Sequence, residues 1–386
     1  MERLPYETID MVAEYLDNRS LSSFSSSCTR LHQVLLARLY CTLNIIYEDS
    51  GADLASLKLI RTLQESQTCR GLLRNIEISR PPPQQWVWEP MFRPLCLAVT
   101  GMLQSLPQNT LVSFIWKLRC LRNPDVLRHV PRCITRLHLE TEIIDHSALF
   151  PVLRELSCNQ LSTLEDIAWV SWHIRRRSLR KLCLGLVNTR VDPDRVFELL
   201  AYPQASLASL THLTLERMDV SQWPFEVMGS LECLNLKHCF QVDMALGSIL
   251  RGCDRQLILR DLSISMLGEP SSLVAFLSEL SKTVRLETLR ICTAGGRDRL
   301  PSSCVLMFQE SLRHLELESR LNPTDVRSVY LYSIEDIAQI TAHCRRLTTL
   351  SVPINIGKDD RRSWVCTRWH SSAHKAHLSL VCLFDS

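Results

Sequence analysis

Apolar residues recur along most of the chain in one short pattern, L-x-x-L-x-L, in which Ile, Phe or Trp sometimes replaces a leucine. Such alternation of apolar and polar residues over a short run predicts a half-buried β-strand. The clearest copies are LRKLCL from Leu179, LTHLTL from Leu210 and LRHLEL from Leu312. The pattern begins at Leu73, Leu111, Ile134, Leu153, Leu179, Leu210, Leu231, Leu259, Leu286, Leu312 and Leu347.

Between these strand patterns the apolar residues recur at helical spacing. Some of these stretches open with good capping residues: Ser162 and Thr163 precede two acids, and Ser333 precedes two more. The predicted helices cover residues 54–63, 91–106, 164–174, 195–201, 244–250, 273–280, 305–310 and 334–344. The chain therefore alternates predicted strands and predicted helices over most of its length.

This alternation has a regular period, because the step between strand patterns averages about 27 residues from Leu73 to Leu347. A strand followed by a helix at this period is typical of leucine-rich repeats, in which each unit buries its leucines against its neighbours. We therefore expect an α/β fold, with a leucine-rich-repeat solenoid (horseshoe) of parallel strands and helices over residues 46–386. It would hold about 11 irregular repeats, a loop insert near 80–90 and a closing tail at 360–386.

The position that normally ties successive repeats together is only partly kept. Cys239 and Asn355 stand at the ninth position of their repeats, where a cysteine or an asparagine is usual. Ala294 and Arg320 stand at the same position in two other copies. We therefore expect an irregular solenoid in which some turns are out of register.

The first forty residues follow a helical pattern instead. Pro5 suits the first turn of a helix, where its missing N–H costs nothing. Ile9, Val12, Ala13 and Leu16 then recur at helical spacing and form one apolar stripe. This predicts a first helix, which turn-forming residues end at 17–20.

Two further helices are predicted in the same segment. Ser20 is the expected N-cap of a short helix that carries Leu21 and Phe24, and a third helix follows Cys28 and carries Leu31. Three short helices in about 40 residues bury too little surface to be stable alone. The segment must therefore pack on the rest of the chain or on another protein.

These residues resemble an F-box, in the form common among fungal F-box proteins. The resemblance covers residues 1–45, and it includes the Leu-Pro opening, the acidic break after the first helix and the Leu39-Tyr40 ending. It implies that the three helices bind a Skp-type adaptor. The adaptor-binding residues that it implies are Leu4, Pro5, Ile9, Val12, Tyr15, Leu16, Leu21, Phe24 and Leu31. The alternative is a helical cap that only closes the next domain.

The resemblance also implies a role for the whole chain. Proteins of this family recruit substrates to a cullin-RING ubiquitin ligase through the adaptor, and their RING partner and conjugating enzyme supply the chemistry. We therefore expect a non-catalytic substrate-recognition subunit that needs no cofactor. Two alternatives stay open. One is an interaction scaffold whose F-box binds the adaptor for another purpose, and the other is a leucine-rich-repeat inhibitor or structural protein with no ligase role.

In this arrangement the residues between the repeat leucines face out along the concave wall, because side chains alternate along a strand. That wall would bind the target protein. The expected target-binding residues are Arg136, His138, Glu140, His212, Glu216, Lys237, Arg290, His314, Glu316 and Glu318. The same wall would also carry Asn75, Glu77, Lys181, Asn235 and Asp261.

Composition narrows the class further. The chain has 386 residues, 46% of them hydrophobic, and a net charge of +3, so it is neither disordered nor strongly basic. The small net charge gives no reason to expect a nucleic acid as a partner. A membrane is not an expected partner either, because no apolar run reaches the length of a membrane span. The start of the chain does not read as a signal peptide, so we expect a cytoplasmic or nuclear protein. Its 16 cysteines are scattered without any Cys-x-x-Cys, and most are expected to be buried thiols.

Three local clusters have competing interpretations. The proline-rich stretch at 81–90 could bind a proline-reading domain, but an inserted loop is the commoner use. Arg175, Arg176 and Arg177 could form a nuclear address or a solvated helix end. The tail carries Cys366, His370, His374 and His377 at a spacing that superficially suggests zinc, but one cysteine makes a poor site and we expect no metal. The tail is expected to form a last strand.

No nucleotide-binding or hydrolase motif occurs, so no catalytic residue is predicted.

Overall fold

A computed structural model describes residues 5–48, 51–52, 54–80, 93–118, 125–141, 143, 145–176, 179–187, 196, 198, 200, 204–252, 257–267, 271–294, 300–320, 332–354, 365–372 and 375–382. Helices and strands alternate along these residues, as the sequence predicts. The chain divides into two compact units, Met1–Ser178 and Leu179–Ser386. The predicted loop insert at 81–90 lies outside the described residues, as does most of the helix predicted at 195–201.

The first unit opens with three short helices, α1 (Tyr6–Glu14), α2 (Asn18–Ser25) and α3 (Thr29–Cys41). The carboxylate of Asp17 accepts the backbone N–H of Ser20 at 2.7 Å, so Asp17 and not Ser20 caps α2. An aspartate oxygen reaches that N–H well, which explains why the helix begins before the predicted residue. The three predicted helices are all present.

Helix α3 passes without a loop into β1 (Thr42–Glu48). This strand pairs in parallel with β3 (Asn75–Ser79) and antiparallel with β2 (Gly51–Ala52). Strand β1 was not predicted, although Leu43, Ile45 and Tyr47 are buried and alternate with the exposed Asn44 and Ile46. The repeating array therefore starts one strand earlier than predicted.

The rest of the first unit continues the alternation. Strands β1, β3, β4, β5 and β6 are parallel and hydrogen-bonded in that order. The further elements are α4 (Leu54–Glu65), α5 (Gln67–Leu72), α6 (Arg93–Ser105), β4 (Ser113–Trp116), α7 (Asp125–His129), β5 (Arg136–Leu139), β6 (Glu155–Leu161) and α8 (Leu164–Ile174). Apolar side chains of the strands and helices pack between the two layers and form the core.

The second unit repeats the same arrangement. Strands β7 to β13 are parallel neighbours, and β14 and β15 follow antiparallel at the end. The strands are β7 (Lys181–Leu186), β8 (His212–Glu216), β9 (Cys233–Lys237), β10 (Asp261–Leu267), β11 (Thr288–Ala294), β12 (His314–Arg320), β13 (Thr349–Ile354), β14 (Val365–Ser372) and β15 (Lys375–Cys382). The helices are α9 (Gln204–Leu207), α10 (Val242–Gly252), α11 (Ser271–Leu280), α12 (Ser302–Leu306) and α13 (Ile334–His343), with a 3₁₀ turn at Phe225–Val227. The single closing strand predicted for the tail is therefore a pair of strands.

Within each unit the described strands stay in register, so the expectation of misregistered turns is wrong for them. Leu182 pairs with Leu213, and Leu213 pairs with Leu234, which places equivalent leucines side by side. Arg180 O accepts the N–H groups of both Thr211 and His212, at 2.8 and 3.1 Å. The backbone ladder thus keeps the strands aligned where the repeats lack the usual cysteine or asparagine. Their irregularity lies in the lengths of the segments between strands.

One predicted helix is displaced. The sequence predicts a helix at 305–310, but α12 spans Ser302–Leu306, and a series of turns follows it. Pro301 stands at its N-cap and sets an early start, since proline fits the beginning of a helix and not its interior. No helix in the described parts of the chain is both long and apolar enough to cross a membrane.

Candidate interaction surfaces

The three N-terminal helices enclose a small core of their own. Ile9, Ala13, Leu21, Leu31 and Leu35 are buried together. Leu16, Phe24, Cys28, Val34 and Leu39 pack against this cluster and are partly exposed. The helical stripe read from the sequence therefore serves mainly to hold α1, α2 and α3 together.

This packing corrects the set of residues expected to contact an adaptor. Ile9, Leu21 and Leu31 are only 1%, 5% and 2% exposed, so in this conformation they support the surface and cannot form it. Leu16 and Phe24 are half-buried beside the same cluster. Leu4 lies outside the described residues, and Pro5 is an exposed N-cap.

The opposite side of α1 is exposed and apolar. Met11, Val12 and Tyr15 are 57%, 43% and 88% exposed. They fall on one side of the helix at a period of 3.6 residues, away from Ile9 and Ala13. We call these three residues the α1 exposed face. Val12 and Tyr15 belong to the set implied by the resemblance, and Met11 is an addition that only its exposure in the structure reveals.

Arg38 fixes the orientation of α1 on α3. Its guanidinium donates from Nε to the Asp10 carboxylate and from Nη2 to Glu14 Oε1, which lies 3.3 Å away. The hydrogen bond from Arg38 lowers the pKa of the Asp10 carboxyl, and the same bond raises the pKa of Arg38. These two contacts lie on the third side of α1, between its buried and exposed faces. They hold the α1 exposed face outward.

In the first unit, the residues between the strand leucines lie on the exposed side of the strands, as alternation predicts. Their burial alternates with that of the leucines along β3 and β5. The side chains engage one another: Glu77 Oε1 lies 2.6 Å from Lys117 Nζ, Asn75 Oδ1 accepts from Arg136 Nη2 at 3.2 Å, and His138 Nε2 lies 3.2 Å from Glu140 Oε1. Lys117 was missed, although one more step of the same alternation after Trp116 would have found it.

In the second unit the predicted wall residues fall into rows across the strands. One row runs through Lys181, His212, Cys233, Asp261, Thr288, His314 and Thr349. A second row contains Asn235, Arg290 and Glu316, and Glu216 pairs with Lys237 in a third. Glu318 follows on β12, two residues beyond Glu316. The strands thus bring all the wall residues predicted for this unit onto one side.

Two local features of the outward strand residues of the second unit are relevant to binding. Arg290 Nε lies 3.3 Å from Glu316 Oε2, so reversing both charges together would exchange the partners of the ion pair and keep it. The amide oxygen of Asn235 is buried and finds no hydrogen-bond donor among the described residues. Leaving such an acceptor unsatisfied costs about 1–3 kcal/mol, and its burial keeps it out of reach of a bound partner in this conformation.

Buried polar residues in the first unit serve structure. Asp166 forms a capping box with Thr163 at the start of α8 and also receives His146 Nε2 at 2.9 Å. His173 lies in the last turn of α8 among Phe150 and Trp169. Burial lowers the pKa of His173 to about 4. Each of these groups is held by local hydrogen-bond partners within the fold.

Nothing in the described residues gathers three or more His, Cys, Asp or Glu side chains into a metal-binding group. Of the tail residues considered for zinc, Cys366 and His370 lie on β14 and His377 lies on β15, whereas His374 is outside the described residues. The backbones of His370 and His377 pair directly across the two strands. The tail residues considered for zinc therefore form no such group among the described residues.

Comparison of the chain with models of known protein families and with curated proteins finds no match. The functional interpretation therefore rests on the N-terminal pattern and on the geometry of the described surfaces.

Proposed function

We propose that this chain is a substrate-recognition subunit of a Skp–cullin–F-box ubiquitin ligase. The α1–α3 segment would bind the Skp-type adaptor, and the outward strand residues would bind a target protein. The cullin-RING partner would carry the catalytic machinery, so the chain itself would act without catalysis or a cofactor. Such a subunit would work in the cytoplasm or the nucleus.

One observation carries the proposal. The α1–α3 segment has the F-box-like residue pattern, encloses its own core and still leaves Met11, Val12 and Tyr15 exposed on one side. A short helical segment gains little by exposing three large apolar side chains to water, whereas a partner that covers them gains their burial. The outward strand residues described above would supply the second surface that a recruiting subunit needs, the one that binds a target protein.

The test is adaptor binding by a surface variant. Replacing Met11, Val12 and Tyr15 by alanine should weaken binding to a purified Skp-type adaptor at least about a hundredfold, because burying each large apolar side chain contributes about 1.5–3 kcal/mol. Biolayer interferometry with the full chain measures the Kd. A matched control removes three exposed apolar residues elsewhere, as L97A/V152A/F240A, and should bind normally.

Two outcomes separate this proposal from its alternatives. Adaptor binding that survives the α1 variant would contradict the assignment of this surface to the adaptor, whereas no adaptor binding by the unaltered chain would favour a helical cap without a ligase role. If the adaptor binds but captured partners do not accumulate when the proteasome is blocked, the chain is an interaction scaffold.

A further inference from the structure

A groove of about 840 Å³ lies on the second unit, at the ends of three successive helices. Its lining comes from residues 281–285 after α11, 307–311 after α12 and 342–346 at the end of α13. These segments lead from the helices into β11, β12 and β13. The groove therefore lies where the helices of this unit lead into the strands, apart from the strand wall.

The charge of this groove is strongly one-sided. Lys282, Arg285, Arg345 and Arg346 line it, and Glu310 is the acid among its lining residues. Lys282 Nζ lies 2.7 Å from both carboxylate oxygens of Glu279, so its charge is neutralised. The three arginines are exposed and form no ion pair with any residue of the described chain. Together they contribute three positive charges to the groove, and no acid of the described chain neutralises them.

Nearby arginines behave differently. Arg260 and Arg313 precede β10 and β12, and both reach the carboxylate of Glu287, at 3.5 and 3.7 Å. The cations at the strand starts thus share an acid of their own chain. The arginines of the groove have no such acid among the described residues, although Arg285 lies only two residues before Glu287, and this difference makes the groove a candidate site for an external anion.

We propose that this groove binds an acidic segment of a partner protein, whose Asp or Glu carboxylates pair with Arg285, Arg345 and Arg346. The planar guanidinium offers two parallel N–H groups that match a carboxylate, so arginine suits this contact better than lysine. The inference goes beyond the proposed function, because it requires neither the adaptor nor the strand wall.

The spacing fits an extended peptide. Arg285 precedes β11, whereas Arg345 and Arg346 precede β13, two strands further on. Strands are about 4.8 Å apart, so the two positions are separated by about 10 Å where the strands begin. An extended chain covers that distance in about three residues. The expected ligand therefore carries acidic residues three positions apart.

A protein segment fits better than a nucleic acid. Nucleic acids are held by long stripes of positive charge that follow the phosphates. Here the positive groove is short, and the carboxylate of Glu310 lies among its lining residues. Repulsion from Glu310 disfavours a continuous phosphate chain, whereas a peptide with separated carboxylates can avoid it.

The arginines have one competing use, which the experiment must separate. Cations near helix C-termini stabilise the exposed carbonyl ends of the helices. If that were their only role, neutralising them would lower thermal stability and leave peptide binding unchanged.

The experiment measures fluorescence anisotropy of a labelled peptide, about ten residues long, with glutamates at every third position. Titration uses the full chain. The variant R285Q/R345Q/R346Q should bind roughly tenfold more weakly or worse, because charge-assisted contacts are lost. The control R132Q/R154Q/R180Q removes the same charge from exposed positions outside the groove and should bind like the unaltered chain. The variant R285K/R345K/R346K keeps the three positive charges but loses the paired N–H groups of the guanidinium. Its affinity for the peptide should therefore be intermediate.

Several results would overturn the proposal. They are no peptide binding by the unaltered chain, equal affinity in the groove variant, and equal loss in both glutamine variants, which would indicate net charge alone. Displacement of the peptide by an oligonucleotide that binds more tightly would assign the groove to nucleic acid instead. Lower thermal stability without any change in affinity would assign the arginines to the helix ends.

Discussion

The imidazole of His173 has a fixed protonation state because both of its nitrogens are engaged. Phe150 N–H donates to Nε2 at 3.2 Å, so Nε2 carries no proton, and Nδ1–H donates to Trp169 O at 2.9 Å. The pKa of His173 is lowered to about 4, mainly by burial and in small part by the positive charge of Arg176, while the bond to Trp169 acts in the opposite direction. A second proton would break the bond from Phe150 and leave a charge in the core.

This predicts a pH dependence. The folded chain holds His173 neutral down to about pH 4, whereas the unfolded chain protonates it below about 6.5. Between these values the unfolded state binds more protons, so the free energy of unfolding falls as the pH falls, by up to about 3 kcal/mol. Urea unfolding followed by tryptophan fluorescence at pH 7, 6, 5 and 4.5 measures the slope.

The H173Q variant should flatten that slope, even if it is less stable at every pH. H343Q, at an exposed histidine of α13, is the matched control and should leave the slope unchanged. An unchanged slope in H173Q would contradict the buried neutral histidine.

At the scale of elements, the N-terminal helices show what a pattern can and cannot give. Their existence and their apolar stripe follow from helical spacing. The sequence could not say that Ile9 and Leu31 face each other across α1 and α3, because an amphipathic stripe looks the same whether its own chain or a partner covers it. The cap at Asp17 was missed for a similar reason, since Ser20 is an equally good capping residue.

The helices should also unfold as one element. Leu35 is fully buried in their shared core, so Leu35→Ala should cost about 2–5 kcal/mol of local stability. Hydrogen-exchange mass spectrometry should then show lost protection in α1–α3 while β4, β5 and β6 stay protected. Leu57→Ala, at an exposed position of α4, should change neither region. Loss of protection spreading through β4–β6 would show that the helices are not separable.

At the scale of the whole molecule, the reactivity of the cysteines is a measure of how well the cores of both units are packed. Twelve of the cysteines in the described residues are free thiols, which agrees with their irregular spacing in the sequence. Cys239 Sγ–H donates to Leu215 O at 3.2 Å, and burial raises its pKa to about 11. Burial also raises the pKa of Cys344 to about 11.

These thiols should resist alkylation in the folded chain. At neutral pH a pKa of 11 instead of 9 leaves about a hundredfold less thiolate, and burial also excludes the reagent. Iodoacetamide at pH 7.5 followed by peptide mass spectrometry should leave Cys239 and Cys344 unmodified and label the partly exposed Cys133. In guanidinium all three should react. Rapid labelling of Cys239 in the native chain would contradict its place in the core.

Most of the repeating fold follows from the sequence, because leucines at a fixed spacing dictate which side of each strand is buried. All eleven strand patterns coincide with strands. The contacts between side chains of different strands could not be read in the same way. The pair Arg290 and Glu316, or the acid shared by Arg260 and Arg313, depends on which strands are neighbours and in what register.

The direct passage from α3 into β1 acts as a rotational coupling. Each helical residue turns the chain by about 100° and advances it by 1.5 Å. One residue added between Cys41 and Thr42 would therefore turn α1 and its exposed face by more than a quarter of a circle relative to β1. A flexible linker would absorb such a change. Here the helix runs directly into the strand, so the junction fixes the direction in which a partner bound to α1–α3 is oriented relative to β1.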